Sequence, residues 1–145
     1  MADRAEISHP QPSASWETRG WWEGAGRNEI VLQHCPLCGV YQHKPRALCV
    51  ACLGSEVNYV VASGLGTVHT YTVTYQNQAK GFAEACPYVM AYVELDEGPR
   101  VLTNIVGCDP ETVSIGMRVQ ADFAHADRDD GEAFAVPRFT PVSGS

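Results

Sequence analysis

The rhythm of polar and apolar positions changes twice along the chain. Residues 1–13, with His9, Pro10, Gln11, Pro12 and Ser13, hold little to bury and read as a flexible tail. Residues 14–28 have the spacing of a short helical segment. Ser13 or Ser15 is its candidate cap, Trp16 would share a face with Arg19 and Gly20, and Gly20, Gly24 and Gly26 keep it short. Glu29 to His34 alternates as a strand does, and Glu56 to Ala62 does so again. From Gly64 onward the pattern is all-β. Strands are expected over Gly66–Gln76, with His69, Tyr71, Val73 and Tyr75 on one side, and over Pro87–Leu95, with Val89, Ala91, Val93 and Leu95 on one face. Further strands are expected over Arg100–Val106, Met117–His125 and Ala133–Phe139. Asp96-Glu97-Gly98-Pro99 is a turn, and Ala126 to Gly131 is an acidic one. Cys108 to Val113 reads as a helical turn, capped by Asp109 with Pro110 at the first helical position and ended by Gly116. Five strands with a small helix between the third and fourth is the layout of an OB-fold barrel.

The fold class expected is therefore all-β: a five-stranded OB-fold barrel over residues 63–141, preceded by a cysteine-rich ribbon over 29–62 and the helical segment over 14–28, with a short tail at 142–145. The chain has 145 residues. A chain of about 150 residues hides roughly 68–70% of its unfolded surface, enough for a real core. No apolar run approaches the ~18 residues of a transmembrane helix, and Met1 to Ser15 lacks the apolar stretch of a secretory signal, so a cytoplasmic protein without a membrane partner is expected. Ten basic against seventeen acidic side chains leave a net charge of −7. Most of that excess lies after residue 60, which argues against a protein built to bind nucleic-acid phosphates.

Six cysteines in a chain read as cytoplasmic point to metal rather than disulfides. Cys35, Cys38, Cys49 and Cys52 follow the spacing C-x2-C, ten residues, C-x2-C. Two residues between paired thiolates let both reach one tetrahedral ion from a tight turn, and two such knuckles close a four-cysteine shell. The expected metal is zinc, with iron as its substitute in an overexpressed preparation. The site is structural, because four thiolates leave no open position for water. His34 and His43 are surplus to that shell and are expected at the surface or behind the ligands. Cys86 and Cys108 have no metal spacing and are expected as buried or edge residues. There is no G-x-S-x-G elbow, phosphate loop or H-E-x-x-H, so no catalytic residue is assigned. Glu94, Asp96 and Glu97 cluster at a solvated turn. Trp16, Trp21 and Trp22 fall within seven residues; they either pack onto the chain's own core or form a partner interface, where tryptophan is enriched.

The ordered set of motifs is familiar. Trp21-Trp22-Glu23-Gly24 comes first, then the ribbon from Leu32-Gln33-His34-Cys35 to Gly54-Ser55. The barrel follows, with Gly64, Gly66-Thr67-Val68, Pro87-Tyr88-Val89, Val93 to Arg100, Leu102 to Cys108, Ile115-Gly116-Met117 and Pro137-Arg138-Phe139. The chain resembles the zinc-ribbon plus OB-fold acyl-CoA-associated family over residues 16–141. That resemblance implies a small, non-catalytic subunit that pairs with a larger enzyme acting on coenzyme A thioesters. The partner types it implies are thiolases, lipid-transfer-protein-like aldolases and enoyl-CoA hydratases, with a thiolase-like partner in a heterotetramer favoured. It also implies that the small subunit helps shape the coenzyme A entrance. Cations should meet the three phosphate groups of coenzyme A. Lys44 and Arg46 are the first candidates; Arg100, Arg118 and Arg138 are weaker ones. Lys80 and Phe82, in the stretch joining the first two barrel strands, are candidates to reach the partner's active site. A competing reading is a single-strand nucleic-acid module using Tyr71, Tyr75 and Tyr92 as stacking platforms. The acidity of the barrel opposes it.

Overall fold

A computed structural model of the chain describes residues 11–128 and 133–143. Most of the expected tail, part of the acidic turn and the last two residues lie outside them. A helix, α1 (Arg19–Gly26), leads into a small sheet of β1 (Val31–His34), β2 (Tyr41–Gln42) and β3 (Asn58–Val61), in the order β2-β1-β3. A closed barrel follows, made of β4 (Leu65–Thr74), β5 (Tyr88–Leu95), β6 (Arg100–Ile105), β7 (Arg118–Asp127) and β8 (Ala133–Pro141), in the order β4-β5-β6-β8-β7. All neighbours are antiparallel except β6 and β8, which pair in parallel at Ile105 and Phe139. A 3-10 turn at Ala83–Ala85 interrupts the loop after β4, and a second at Pro110–Thr112 joins β6 to β7. In the second turn the Asp109 carboxylate accepts from the Glu111 N–H at 2.9 Å, the capping expected there.

Period two decides the barrel interior. Val89, Ala91, Val93 and Leu95 of β5 all point inward and are buried, while Met90, Tyr92 and Glu94 are exposed. The expected one-sided row on β4 is corrected by a bulge. Val68 pairs with Val93 but Thr70 pairs with Tyr92, so His69 is an extra residue. The bulge returns Tyr71, opposite Ala91, and Val73, opposite Val89, to the inward side that Val68 occupies.

The helix starts later than its caps suggest. Ser15 and Thr18 satisfy each other first: the Ser15 N–H donates to Thr18 Oγ1 at 2.9 Å and the Thr18 N–H to Ser15 Oγ at 3.2 Å. This reciprocal pairing has the form of a capping box, with Ser15 capping the turn at residues 16–18 that leads into α1. Trp16 therefore precedes the helix and is 71% exposed. Nor are the glycines simply helix stops. A Cβ at Gly20 would lie 2.5 Å from the Tyr59 ring, and one at Gly24 would lie 2.7 Å from Val31, so both let α1 press onto the ribbon sheet. The tryptophans divide: Trp21 is buried in the chain's own core, Trp22 packs at its margin, and Trp16 faces outward. That core is continuous. Trp21, Ile30 and Leu32 from the ribbon side share it with Val68, Val93, Val119 and Phe139 of the barrel.

Candidate functional site

β1 ends at His34 and delivers Cys35 into a first knuckle. There the Gly39 N–H donates to the Cys35 carbonyl at 2.8 Å, and Gly39 takes a φ of 79°. The second knuckle repeats this four residues after its own first cysteine. The Leu53 N–H donates to the Cys49 carbonyl at 2.9 Å, and Leu53 takes a φ of 64°. The first cysteine of each knuckle is buried, and the second, Cys38 or Cys52, is exposed. All four sulfurs lie within 4.8 Å of one another. Cys35 and Cys52 are 3.7 Å apart, and Cys38 and Cys49 are 3.6 Å apart. Zinc–sulfur bonds of about 2.3 Å in a tetrahedron place sulfurs roughly 3.8 Å apart, so the donor set fits zinc. The Cys52 N–H, against the opposing effect of burial and with smaller help from other local hydrogen bonds, lowers the Cys49 thiol to about 6. The four bound thiolates would hold zinc in a closed shell that supplies folding energy, not a reactive water.

Two buried glutamines, not singled out from the sequence, hold the loop between the knuckles. Gln33 Nε2 donates to the Arg46 carbonyl at 2.9 Å, and Gln33 Oε1 accepts from the Arg46 N–H at 2.8 Å. Gln42 Nε2 donates to Gln33 Oε1 at 2.7 Å and to the Leu48 carbonyl at 3.1 Å, while Gln42 Oε1 accepts from the Val50 N–H at 2.9 Å. The one forewarning is Gln33 on a short strand beside Val31 and Leu32; Gln42, next to Tyr41, carries none. His43 lies behind the loop, its ring 4.4 Å from that of Trp21, and His34 packs 4.7 Å from the Tyr41 ring.

The candidate coenzyme A residues are scattered. Lys44 and Arg46 are exposed on the braced ribbon loop, and among the described residues neither pairs with an acidic side chain. Lys80 is exposed in the loop after β4, whereas Phe82, two residues on, lines a cavity of about 550 Å³ beside Trp22. Arg138 lines the same cavity, with Nη2 on the Asp122 carboxylate at 3.3 Å. Arg100 starts β6 and is exposed, whereas the cavity meets the other end of that strand at Ile105. Arg118 is committed to Asp96 through bonds of 2.7 and 3.0 Å, which lower the Asp96 carboxyl below its ordinary range. Tyr71 and Tyr92 fall on opposite faces of the β4–β5 sheet, since Tyr71 pairs with Ala91 and Tyr92 with Thr70. The hydroxyl of Tyr75 bonds Glu111. The three tyrosines therefore form no shared stacking platform.

A four-thiolate ribbon packed on a closed five-stranded barrel defines a zinc-ribbon OB-fold protein. The comparisons agree in order and extent. Family models for the rubredoxin-like zinc ribbon domain of ChsH2 and for its C-terminal OB-fold domain match residues 22–58 and 59–124. The chain is 36% identical over 127 residues to a DUF35 domain-containing scaffold protein of Methanocaldococcus jannaschii, covering 86% of this chain and 89% of that one. It belongs to this DUF35 family of zinc-ribbon plus OB-fold proteins. It is also 35% identical over 133 residues to a probable enoyl-CoA hydratase alpha subunit of Thermomonospora curvata; the match takes 92% of this chain but only 40% of that protein. Among solved structures, a chain of an Ltp2-ChsH2(DUF35) aldolase superposes with a TM-score of 0.79 at 34% identity, over 90% of this chain and 98% of that one. No helix among the described residues is long and apolar enough to cross a membrane.

Proposed function

We propose that this chain is the zinc-bearing accessory subunit of an acyl-CoA-processing complex. Its larger partner would be a thiolase-like or lipid-transfer-protein-like enzyme that performs thiolysis or retro-aldol cleavage. The observation that carries this reading is the match, along nearly the full length of the solved chain, to the DUF35 component of an aldolase complex. The site chemistry supports it: the metal shell is closed, and the described residues assemble no nucleophile with its base. The partner would supply the catalytic groups. Lys44 and Arg46, without acidic partners among the described residues and on a loop held by Gln33 and Gln42, are the residues proposed to meet coenzyme A phosphates at the shared entrance. A hydratase partner is the second reading, favoured by the likeness to a hydratase alpha subunit.

Affinity purification of the tagged chain from its native lysate, with mass spectrometry of what co-purifies, tests the proposal. The expected result is a thiolase-like or lipid-transfer-protein-like subunit in equal amount, in a particle of two small and two large chains. Acyl-CoA turnover should appear in the complex and not in the zinc-loaded chain alone. A hydratase-like subunit selects the second reading; a clean monomer, or turnover by the chain alone, overturns both. Within a captured complex, Lys44→Ala with Arg46→Ala should weaken coenzyme A binding and reduce its salt dependence without dissociating the subunits. Unchanged affinity removes both residues from the entrance.

A further inference from the structure

The barrel closes on itself, but the ribbon sheet has an open edge. β3 pairs with β1 on one side and, among the described residues, with no strand on the other. The register fixes which backbone groups that edge presents. The Ala62 N–H donates to the Ile30 carbonyl at 2.7 Å, so Ala62, Val60 and Asn58 turn their polar groups toward β1. Tyr59 and Val61 turn theirs away from it, and no partner among the described residues takes them. Just past the strand the chain satisfies itself again, where the Ser63 N–H donates to the Glu97 carboxylate at 2.8 Å. Open groups of this kind template the addition of another strand, and folded proteins blunt such edges with charge or proline. Asn58-Tyr59-Val60-Val61 carries neither. Two of its β-forming side chains are exposed, Tyr59 by 42% and Val61 by 63%. The Tyr59 hydroxyl donates to the Glu17 carbonyl at 2.6 Å, which brings the segment carrying the exposed Trp16 to the same edge. The surroundings are acidic. Glu56 lies two residues before the strand, and burial, with the charges of Glu17 and Glu23 adding to it, raises the Tyr59 phenol above its ordinary value. Pairing this edge with that of a second copy would set these carboxylates against their counterparts, which is unfavourable. A segment carrying lysine or arginine meets them favourably.

We propose that the β3 edge is a docking site for an extended segment of the larger enzyme subunit, basic at its flanks, which adds to the ribbon sheet as a fourth strand beyond β3. That the segment belongs to the enzyme rests on the accessory-subunit reading above; its extended form and basic flanks follow from the edge. Main-chain hydrogen bonds to Tyr59 and Val61 would hold it, with the exposed side chains adding selectivity. The captured complex provides the test. Val61→Pro removes one outward N–H and spares the bonds to β1, and proline is tolerated on an edge whose N–H faces solvent. The zinc-loaded variant should keep its fold and metal content yet bind the enzyme subunit about tenfold more weakly. Val61→Lys leaves the backbone intact, puts a cation on the edge against a basic segment, and serves if Val61→Pro does not fold. Glu56→Gln should weaken the complex and reduce its salt dependence. In hydrogen exchange, the Tyr59 and Val61 amides should be protected in the complex relative to the free chain. Folded Val61 variants that bind the enzyme like the parent, or edge amides that exchange equally fast free and bound, overturn the docking edge and leave the accessory-subunit reading standing. A purified chain that dimerises, with Val61→Pro abolishing the dimer, gives the edge to a second copy and overturns the enzyme segment. A parent chain that captures no enzyme overturns the accessory-subunit reading and this proposal together.

Discussion

His43 sits where the ribbon loop meets α1. Burial, with the charges of Lys44 and Arg46 behind it, lowers its pKa from an ordinary 6.5 to about 4. The unfolded chain therefore takes up this proton as pH falls through 6.5, while the folded chain resists until about 4. Stability is lost across that window on acidification, by about 2 kcal/mol between pH 7 and pH 5. His43→Gln should remove this share. Acid release of zinc affects parent and variant alike, so the difference between their melting curves at pH 7 and pH 5 isolates the histidine; an equal loss in both would assign the acid sensitivity elsewhere. Gln42 makes a second junction in the same loop. Gln42→Leu strands the Val50 N–H and the Leu48 carbonyl beneath it. The expected cost is roughly 1–3 kcal/mol, read from urea unfolding of the zinc-loaded protein, with the larger loss appearing in ribbon-loop hydrogen exchange.

The ribbon is three short strands, one of only two residues, with two knuckles between them. So small an element buries little by itself, and bound zinc would contribute about 10–16 kcal/mol of folding energy in modules of this kind. Cys35→Ser should lose the metal and loosen residues 29–62. Retained stoichiometric zinc, measured by metal analysis, would remove Cys35 from the shell. The helix depends on a close approach instead. Gly20→Ala would drive a Cβ to within 2.5–2.8 Å of the Tyr59 ring, so α1 must lift from the sheet or Tyr59 must swing out, at a cost of about 1–3 kcal/mol. Tyr59→Ala in the same background should recover part of that loss, measured as a double-mutant cycle, because it vacates the space.

Ribbon and barrel do not have separate interiors. Ile30 and Leu32 precede the first knuckle by a few residues, yet they pack in one core with Val119 and Phe139, and Trp21 belongs to that core too. Asn28 Oδ1 adds a 2.6 Å bond to His125 Nε2 on β7. A shared core unfolds cooperatively. Thermal unfolding of the zinc-loaded protein should therefore be a single transition, coincident by far-ultraviolet circular dichroism and tryptophan fluorescence. Chelation should lower the barrel's melting temperature as well as the ribbon's. Two separated transitions would show that the barrel stands independently of the metal.

The elements that the residue pattern made legible are those governed by local rules. Alternation identified β5 and β6 almost to the residue, because each strand buries one face. The spacing of Cys35, Cys38, Cys49 and Cys52 disclosed the metal site, because C-x2-C is a local turn geometry. The Asp109-Pro110 cap was equally plain. What local pattern could not reveal depends on partners distant in the chain. The bulge at His69 answers to the register of β5, and the buried roles of Gln33 and Gln42 answer to backbone groups up to thirteen residues away. The glycines of α1 answer to Tyr59 and Val31. Folding also sorted the three tryptophans and drew Phe82 and Arg138 to one cavity while leaving Arg100 at the far end of its strand. Those outcomes follow from which surfaces meet when the barrel closes, and no period along a single strand or helix carries that information.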